Sequence, residues 1–527
     1  MQNSAVKQYG MWSLMSASSN WLWIVVLSSQ IFFACVNNTF AEENNSENVG
    51  ANETADVETL RLKIHPKEES KPALKTKFVL DPFEQLEGNA AIYYLKAMGF
   101  LERDPARDQI RQAYKNVEEQ MKATGKEREH FPPYSYLEMR PSDYPKAEVA
   151  KYLELTAFQE PILREAKRMR YFSMDRNIHL AENPVVYLLP EIQAMRELAK
   201  TQSIRCRLAI AENRIDDAIE IISQQITMSR HLGMDDFLVC YLVGNAVLSM
   251  ALEDSLFLRE HADCPNLYWA FAQLPRPLID TERCLAFERQ FAFFQISRLK
   301  EVNTTVKTSE YWHEFIADFS KQTADMEQYA DSTNKRFISQ VQGDKRVEAI
   351  QKSIEENASQ AKQYLLDRGI LTSEVVESFP KEQLVFLAMK DYYQVAGDNN
   401  FKWLNLPYDA AQGRFEQIKK QLEEDSEKLG WFTNLHYIFW PATESIFVTK
   451  TRMQQQLAAS QAIEAIRMAG ASNGGKLIDS LDQAPVPVPN DPFTGKPFSY
   501  EVAGDVAVLS SQYPKSKPVR IELQFAK

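Results

Sequence analysis

The chain has 527 residues, 44% of them hydrophobic, which is enough for a sizeable core and, by length, for about two to four domains. Its 72 acidic residues against 60 basic ones leave a formal charge of −12. That balance excludes a general nucleic-acid binder, which needs a basic face, and opposes adsorption to anionic lipid.

The first 41 residues read as an export signal. An apolar core runs from Trp21 to Val36 with one lysine, Lys7, before it, and Thr39-Phe-Ala41 puts small residues at the −3 and −1 positions of a cleavage site ahead of Glu42. An uncleaved N-terminal anchor is the alternative. Phe32-Phe-Ala-Cys35 has the outline of a lipoprotein box, but Phe32 fits its first position poorly. The mature chain is expected in the periplasm or secreted, with no membrane span. Residues 42–80 are expected to form a disordered linker, because Glu42 to Leu60 is rich in Glu, Asn, Ser and Thr and holds no basic residue.

A helical domain is expected over 81–300. Asn89 can cap a helix carrying Ala90 to Met98. Asp104-Pro105 is a second start signal, with Asp as N-cap and Pro at the first helical position, for a helix reaching Gly125. A single long helix is expected from Lys146 to Met174, bent at Pro161. The stretch from Leu188 to Asp280 organises the rest. Met195, Leu198, Ile204, Leu208 and Ala211 recur near helical spacing, Glu212-Asn-Arg214 breaks the run, and Ile215, Ala218, Ile219, Ile222 and Ile226 form one stripe. Gly233 is expected to stop that helix in the left-handed conformation. The two helices make an antiparallel hairpin. Phe237 to Leu252 is sixteen residues without a charge. It is shorter than the ~20 apolar residues of a membrane span, and reads as a helix buried on all sides.

A long-helix region is expected over 301–450. Ser309 to Val341 and Lys345 to Leu366 read as a polar, solvent-facing or coiled-coil-like hairpin around Gly343. Phe401 to Tyr408 reads as an aromatic loop, and Asp409 to Leu429 as one charged helix. The composition then changes class over 451–527. A helix is expected from Thr451 to Met468. Phe498 to Val502 and Val506 to Leu509 alternate at period two around Ala503-Gly-Asp505, and Val519 to Phe525 alternates again. The expected module is one helix on a three-stranded antiparallel sheet.

Ala209 to Ile219 resembles the middle of a tetratricopeptide (TPR) repeat, with a small residue, a polar turn and an acidic-Ala pair; Asn213 stands where that family has Gly, and no clean ~34-residue copy flanks it. This resemblance implies either a peptide-binding groove or a hairpin that only packs. The fold class is therefore mostly α, a TPR-like helical-hairpin array with a small C-terminal α+β module. From about residue 75 onward the chain also resembles a family of exported planctomycete proteins of unknown function. Gly88-Asn-Ala-Ala-Ile-Tyr-Tyr94, Leu188-Leu-Pro-Glu191, Arg230-His-Leu-Gly233, Pro265-Asn-Leu-Tyr-Trp-Ala270, Leu274-Pro-Arg-Pro-Leu-Ile-Asp280, Phe401-Lys-Trp403 with Leu406-Pro-Tyr408, and Asp491-Pro-Phe-Thr-Gly-Lys-Pro-Phe498 carry it. It implies export and helical architecture. The last helix and the Asp-Pro-Phe hairpin are similar to the globular end of pseudopilins, but the N-terminal apolar segment lacks their prepilin cleavage motif.

Catalytic motifs are sparse. His313-Glu314 lacks the second histidine of a zinc protease, and the seven histidines show no ligand spacing. Gly470-Ala-Ser-Asn-Gly-Gly-Lys476 meets part of a phosphate-loop pattern, but a helix precedes it and Leu477 follows, so it reads as a helix end and turn. Cys206, Cys240, Cys264 and Cys284 have no Cys-x-x-Cys spacing and could be paired or buried and free. No catalytic residue, metal or cofactor is expected. The best binding candidates are Tyr268, Trp269 and Arg276, and Lys402, Trp403 and Tyr408, where cations lie near large rings in loops. The same rings could instead plug helix ends. The expected function is an exported scaffold or adaptor for another envelope protein. An exported hydrolase with a site assembled from distant residues, and a component of a secretion or pilus-like assembly, are the alternatives.

Overall fold

The computed structural model describes residues 59–100, 105–127, 130–178, 184, 189–327, 344–440, 442–511 and 519–526. The export signal, its cleavage position and the anchor alternative fall outside the described residues, as do Asp104, Leu188 and Gly343. The described chain is mostly helical, with a small mixed sheet near the C-terminus.

Strand β1, Thr59–Ile64, opens the fold. Strand β2, Leu86–Asn89, leads into helix α1, Ala90–Ala97, where the Asn89 side chain accepts from the Ala91 N–H at 3.0 Å, the cap its position predicts. Helix α2 spans Pro105–Thr124. The long helix expected from Lys146 to Met174 is instead two, α3 (Lys146–Glu154) and α4 (Gln159–Arg168), followed by strand β3 (Met169–Tyr171), which pairs in parallel with β2. The break has a cause. The buried Arg205 guanidinium donates to the Thr156 carbonyl at 3.0 Å and to its hydroxyl at 3.1 Å, and that carbonyl takes the Gln159 N–H at 3.0 Å, an i+3 bond that tightens the chain into a turn. Pro161 then falls in the first turn of α4, where a missing N–H has no helical partner to lose.

Helices α5 (Pro190–Ala211), α6 (Ile215–Leu232) and α7 (Leu238–Arg259) pack on one another. Asn213 turns α5 into α6 with φ +61°, a left-handed position that Asn tolerates, which is why it can stand in for Gly. Gly233 is not left-handed; its φ is −69°. Glycine is required there by proximity, since a Cβ would lie 2.3 Å from Ile279 Cγ2. Helix α7 is long and apolar enough to cross a membrane by composition, yet none of its residues is exposed, and α5, α6, the helix Glu282–Gln295 and the last long helix cover it.

Helix α8 (Tyr268–Ala272) and helix α9 (Glu282–Gln295) follow. Helices α10 (Ser309–Glu327) and α11 (Asp344–Asp367) are not merely solvent-facing. Trp312, Phe315 and Phe319 of α10, and Ile350, Ile354 and Leu365 of α11, are buried against helix α12, Lys381–Phe401, with the Trp312 and Phe386 rings stacked at 5.9 Å. Polar composition described one face and hid the other. The expected loop after Phe401 is a turn of 3₁₀ helix, Lys402–Asn405. The expected single helix from Asp409 is interrupted: α13 (Tyr408–Ala411) and α14 (Arg414–Leu429) flank Gly413, whose φ of +79° no helix accommodates.

Helix α15, Thr443–Ser472, starts well before the expected Thr451 and is the spine of the C-terminal half. Its early residues Ile446 and Phe447 join the core of α6 to α9, and its later residues Ala462, Ile463 and Ile466 meet the sheet. Strands β4 (Ser499–Ala503), β5 (Val506–Ser511) and β6 (Val519–Phe525) form the expected antiparallel meander. The sheet is nevertheless four-stranded and mixed, in the order β1-β6-β5-β4. Strand β1 adds in parallel to β6, from Thr59 opposite Arg520 to Ile64 opposite Phe525. The assignment of 42–80 as disordered linker therefore fails from Thr59 onward. Leu62 and Ile64 are buried, each contributing about 1.5–3 kcal/mol of burial. Farther along, Phe78 is fully buried in the α6–α8 core, and the Ser223 hydroxyl donates to its carbonyl at 2.7 Å.

Candidate functional site

After β1 the chain runs across the end of α15 and meets the loop between α7 and α8. There a groove of about 550 Å³ opens, lined by residues Pro66 to Ser70, by Pro265 and Asn266, and by Ala471, Gly474 and Gly475. Its walls are connecting segments, where binding residues concentrate. Gly474 and Gly475, at φ +60° and +80°, turn the chain away from α15, and a Cβ at either would meet nothing within 4 Å.

Beneath the loop lies an ionic triad. Arg259 from α7 and Glu464 and Arg467 from α15 have side chains 0% exposed. Arg467 has an oxygen acceptor at every nitrogen: Nε donates to the His65 carbonyl at 3.0 Å, Nη2 to the Cys264 carbonyl at 2.9 Å, and Nη1 to Glu464 Oε2 at 2.8 Å and the Pro265 carbonyl at 3.1 Å. The Lys67 N–H donates to the Arg467 carbonyl at 3.0 Å. Asn266 Nδ2 donates to the Glu464 carbonyl at 2.9 Å, and the Leu267 N–H to Glu464 Oε2 at 3.0 Å. One glutamate and one arginine thus fix both the arm and the loop. Burial pulls the Arg467 pKa down, but Glu464 and Cys264 together outweigh it and the net direction is up; burial lowers that of His65, assisted by Arg467.

The structure divides the sequence-predicted residues into two places. The Tyr268 hydroxyl donates to the Pro487 carbonyl at 2.6 Å with its ring buried, Trp269 Nε1 donates to Glu69 Oε1 at 2.5 Å on the groove rim, and exposed Arg276 donates to Gln461 Oε1 at 2.8 Å. Tyr408 is buried against the Phe447 and Phe493 rings, with centroids at 5.1 and 4.9 Å. Lys402 Nζ lies 5.5 Å and the Arg414 guanidinium 5.0 Å from the Trp403 ring. Gln461 and Phe447 are fourteen positions apart on α15, or ~21 Å at 1.5 Å per residue. The two groups therefore do not form one site. Tyr268 and Tyr408 act as plugs against α15, and Trp269 meets the groove through its bond to Glu69, a lining residue. Of the groove residues, the sequence singled out the Pro265-Asn266 pair and, as a helix end and turn, the segment holding Ala471, Gly474 and Gly475; the Pro66–Ser70 wall was not. The available signal was Glu464 and Arg467, two charges within the otherwise uncharged run from Ala458 to Gly470.

Elsewhere the thiols and the imidazoles of His231 and His436 are enclosed, whereas Glu253 and Glu288 are half-buried. All four cysteines in the described residues are buried and free, and burial raises every one of their thiol pKa values, that of Cys264 to about 11. Burial brings His231 and His436 down to about 4 and Glu253 and Glu288 up to about 7. His231 bonds Tyr94 at 2.8 Å and the Met169 carbonyl at 3.0 Å. Among the described residues no group of three or more His, Cys, Asp or Glu side chains converges to hold a metal. Gly470 is buried inside α15 rather than in a phosphate loop. No family model, curated protein or solved structure matches this chain.

Proposed function

We propose that this protein is an exported helical scaffold or adaptor whose groove, between the Pro66–Ser70 arm and the end of α15, docks a segment of another envelope protein. The observation that carries this is a contrast in access. The groove is open and braced from below by Arg467 and Glu464, while the four thiols and the imidazoles of His231 and His436 are packed inside the helices. In this reading the α5–α6 pair is a TPR-like hairpin used for packing, and the likeness to exported planctomycete proteins supports delivery across the inner membrane. Affinity capture of the mature chain from its own envelope extract tests it, with stoichiometry counted by mass spectrometry. The expected result is one partner in near-equal amount, lost when Gly474→Trp fills the groove and kept when Lys402→Ala alters the distant aromatic segment. Capture of no partner above background sinks the reading.

The hydrolase alternative draws on Glu253 and Glu288, whose carboxyls titrate near neutrality. Both residues are only half-buried, and loss of hydrolysis in Glu253→Gln or Glu288→Gln would favour it. The assembly alternative draws on the pseudopilin-like packing of α15 on its sheet. It predicts co-fractionation with such an assembly.

A further inference from the structure

The buried triad does not balance. Arg259 and Arg467 carry two positive charges and Glu464 one negative charge, all in side chains with no exposure. Each Arg467 nitrogen finds an oxygen acceptor. Arg259 differs. Its Nε donates to Glu464 Oε1 at 2.7 Å, but Nη1 and Nη2 have no hydrogen-bond partner among the described residues.

The Phe271 ring lies 5.0 Å from this guanidinium. A ring satisfies the face of a cation, whereas guanidinium N–H donors point outward in its plane. Four N–H bonds therefore still require acceptors. Arginine cannot relieve its burial by releasing a proton, as a buried lysine or carboxyl can. Nor does Cys264 supply a negative charge, because burial holds its thiol pKa at about 11. Burial, only partly opposed by Glu464, also pushes the Arg259 pKa down, whereas that of Arg467 is raised. A water molecule could accept the hydrogen bonds but would leave the excess charge. An anion does both.

We propose that Arg259 Nη1 and Nη2 hold a small monovalent anion, of the halide or short-carboxylate class, in the interior between α7 and α15. Two parallel N–H donors suit either a spherical halide or the two oxygens of one carboxylate. The bound charge neutralises the triad and locks α7, through Arg259 and Glu464, to the helix that also carries the groove loop. This site does not depend on the scaffold reading.

The test uses the full mature chain and bromide as the probe. Crystals soaked in sodium bromide are expected to show an anomalous-scattering peak within hydrogen-bonding distance of Arg259 Nη1 and Nη2. In solution, Tm is expected to rise by a few degrees as sodium chloride replaces sodium gluconate at constant ionic strength, because ligand binding to the folded state alone is stabilising. Arg259→Met should remove that difference and Arg259→Lys should reduce it. Absence of a bromide peak at Arg259, or the same Tm for the wild-type chain in both salts, overturns the proposal. Both measurements are made on the unmodified chain, so a variant that fails to fold leaves the proposal decidable.

Discussion

Two buried arginines of helices α5 and α7 meet their counter-charges in opposite ways. Arg207 of α5 donates through Nε to Asp254 Oδ1 at 2.9 Å, through Nη1 to the Leu137 and Met139 carbonyls, and lies with Nη2 3.3 Å from Glu253. Asp254 also accepts from the Ser203 hydroxyl. Five residues along α7, Arg259 has one partnered nitrogen and two unpartnered ones. The first network ties the Leu137–Met139 turn to α5 and α7 and leaves no nitrogen of its cation without a partner. The second has donors and charge left over. A saturated buried network reads as a staple; an unsaturated one of net charge marks a place where something else completes it. Glu288 of α9 shows a third solution. With no cation among its principal influences, its carboxyl is driven by burial to a pKa of about 7, so it can be neutral where Arg207 and Arg259 cannot.

These differences can be broken in order of size. Glu464→Ala removes the only carboxylate between two buried guanidiniums. The expected loss is about 5 kcal/mol or failure to fold, because uncompensated buried charge is the costliest case. Urea denaturation measures it, and a loss under about 1 kcal/mol would contradict full burial of the triad. Asp254→Ala strands Arg207 but leaves its carbonyl partners, so about 3–5 kcal/mol is expected in the same assay. Glu288→Gln acts through pH. A carboxyl whose folded pKa is raised from about 4.5 to about 7 binds more protons when folded, so its contribution is present at low pH and is lost as pH rises through that window. The variant should therefore be about 1–3 kcal/mol more stable than wild type at pH 8 and show little gain at pH 4.5. A pH-independent difference would place Glu288 in water. Arg259→Met is expected to cost least, below about 2 kcal/mol in anion-free buffer, since it removes an unbalanced charge and leaves Glu464 paired to Arg467 and the Leu267 N–H. A loss larger than that of Asp254→Ala would reverse the comparison.

The same physics sorts what could be read from the sequence. Local signals were dependable. Asn89 caps α1, the α5–α6 hairpin turns at Asn213, and Gly504 at φ +62° turns β4 into β5, because each depends on residues a few positions apart. Apart from the break at Gly413, a local signal that was passed over, failures came where a distant partner decided the outcome. Thr59–Ile64 alternates Leu and Ile with Arg and Lys, a strand pattern, but its pairing strand lies at the other end of the chain and the composition around it is that of a linker. The α3–α4 break depends on Arg205, and the requirement for Gly233 on Ile279. Of the candidate site, Tyr268, Trp269 and Pro265-Asn266 were visible as a loop rich in aromatic residues. Arg259, Glu464 and Arg467 were not, since i,i+3 charges on a helix ordinarily face water.

The parallel pairing of β1 with β6 also has a temporal side. Arg61 and Glu522, joined at 3.0 Å, are separated by 461 positions. At ~5–20 residues per second, a ribosome needs roughly 20–90 s to add the second strand after the first has been made. Until then the arm that walls the groove has no edge to anchor it, and Leu62 and Ile64 have no partner strand to bury beside. Binding competence is therefore expected to arrive late, only once β6 has been made. A chain released before Val519 would carry most of the helical body without a finished groove.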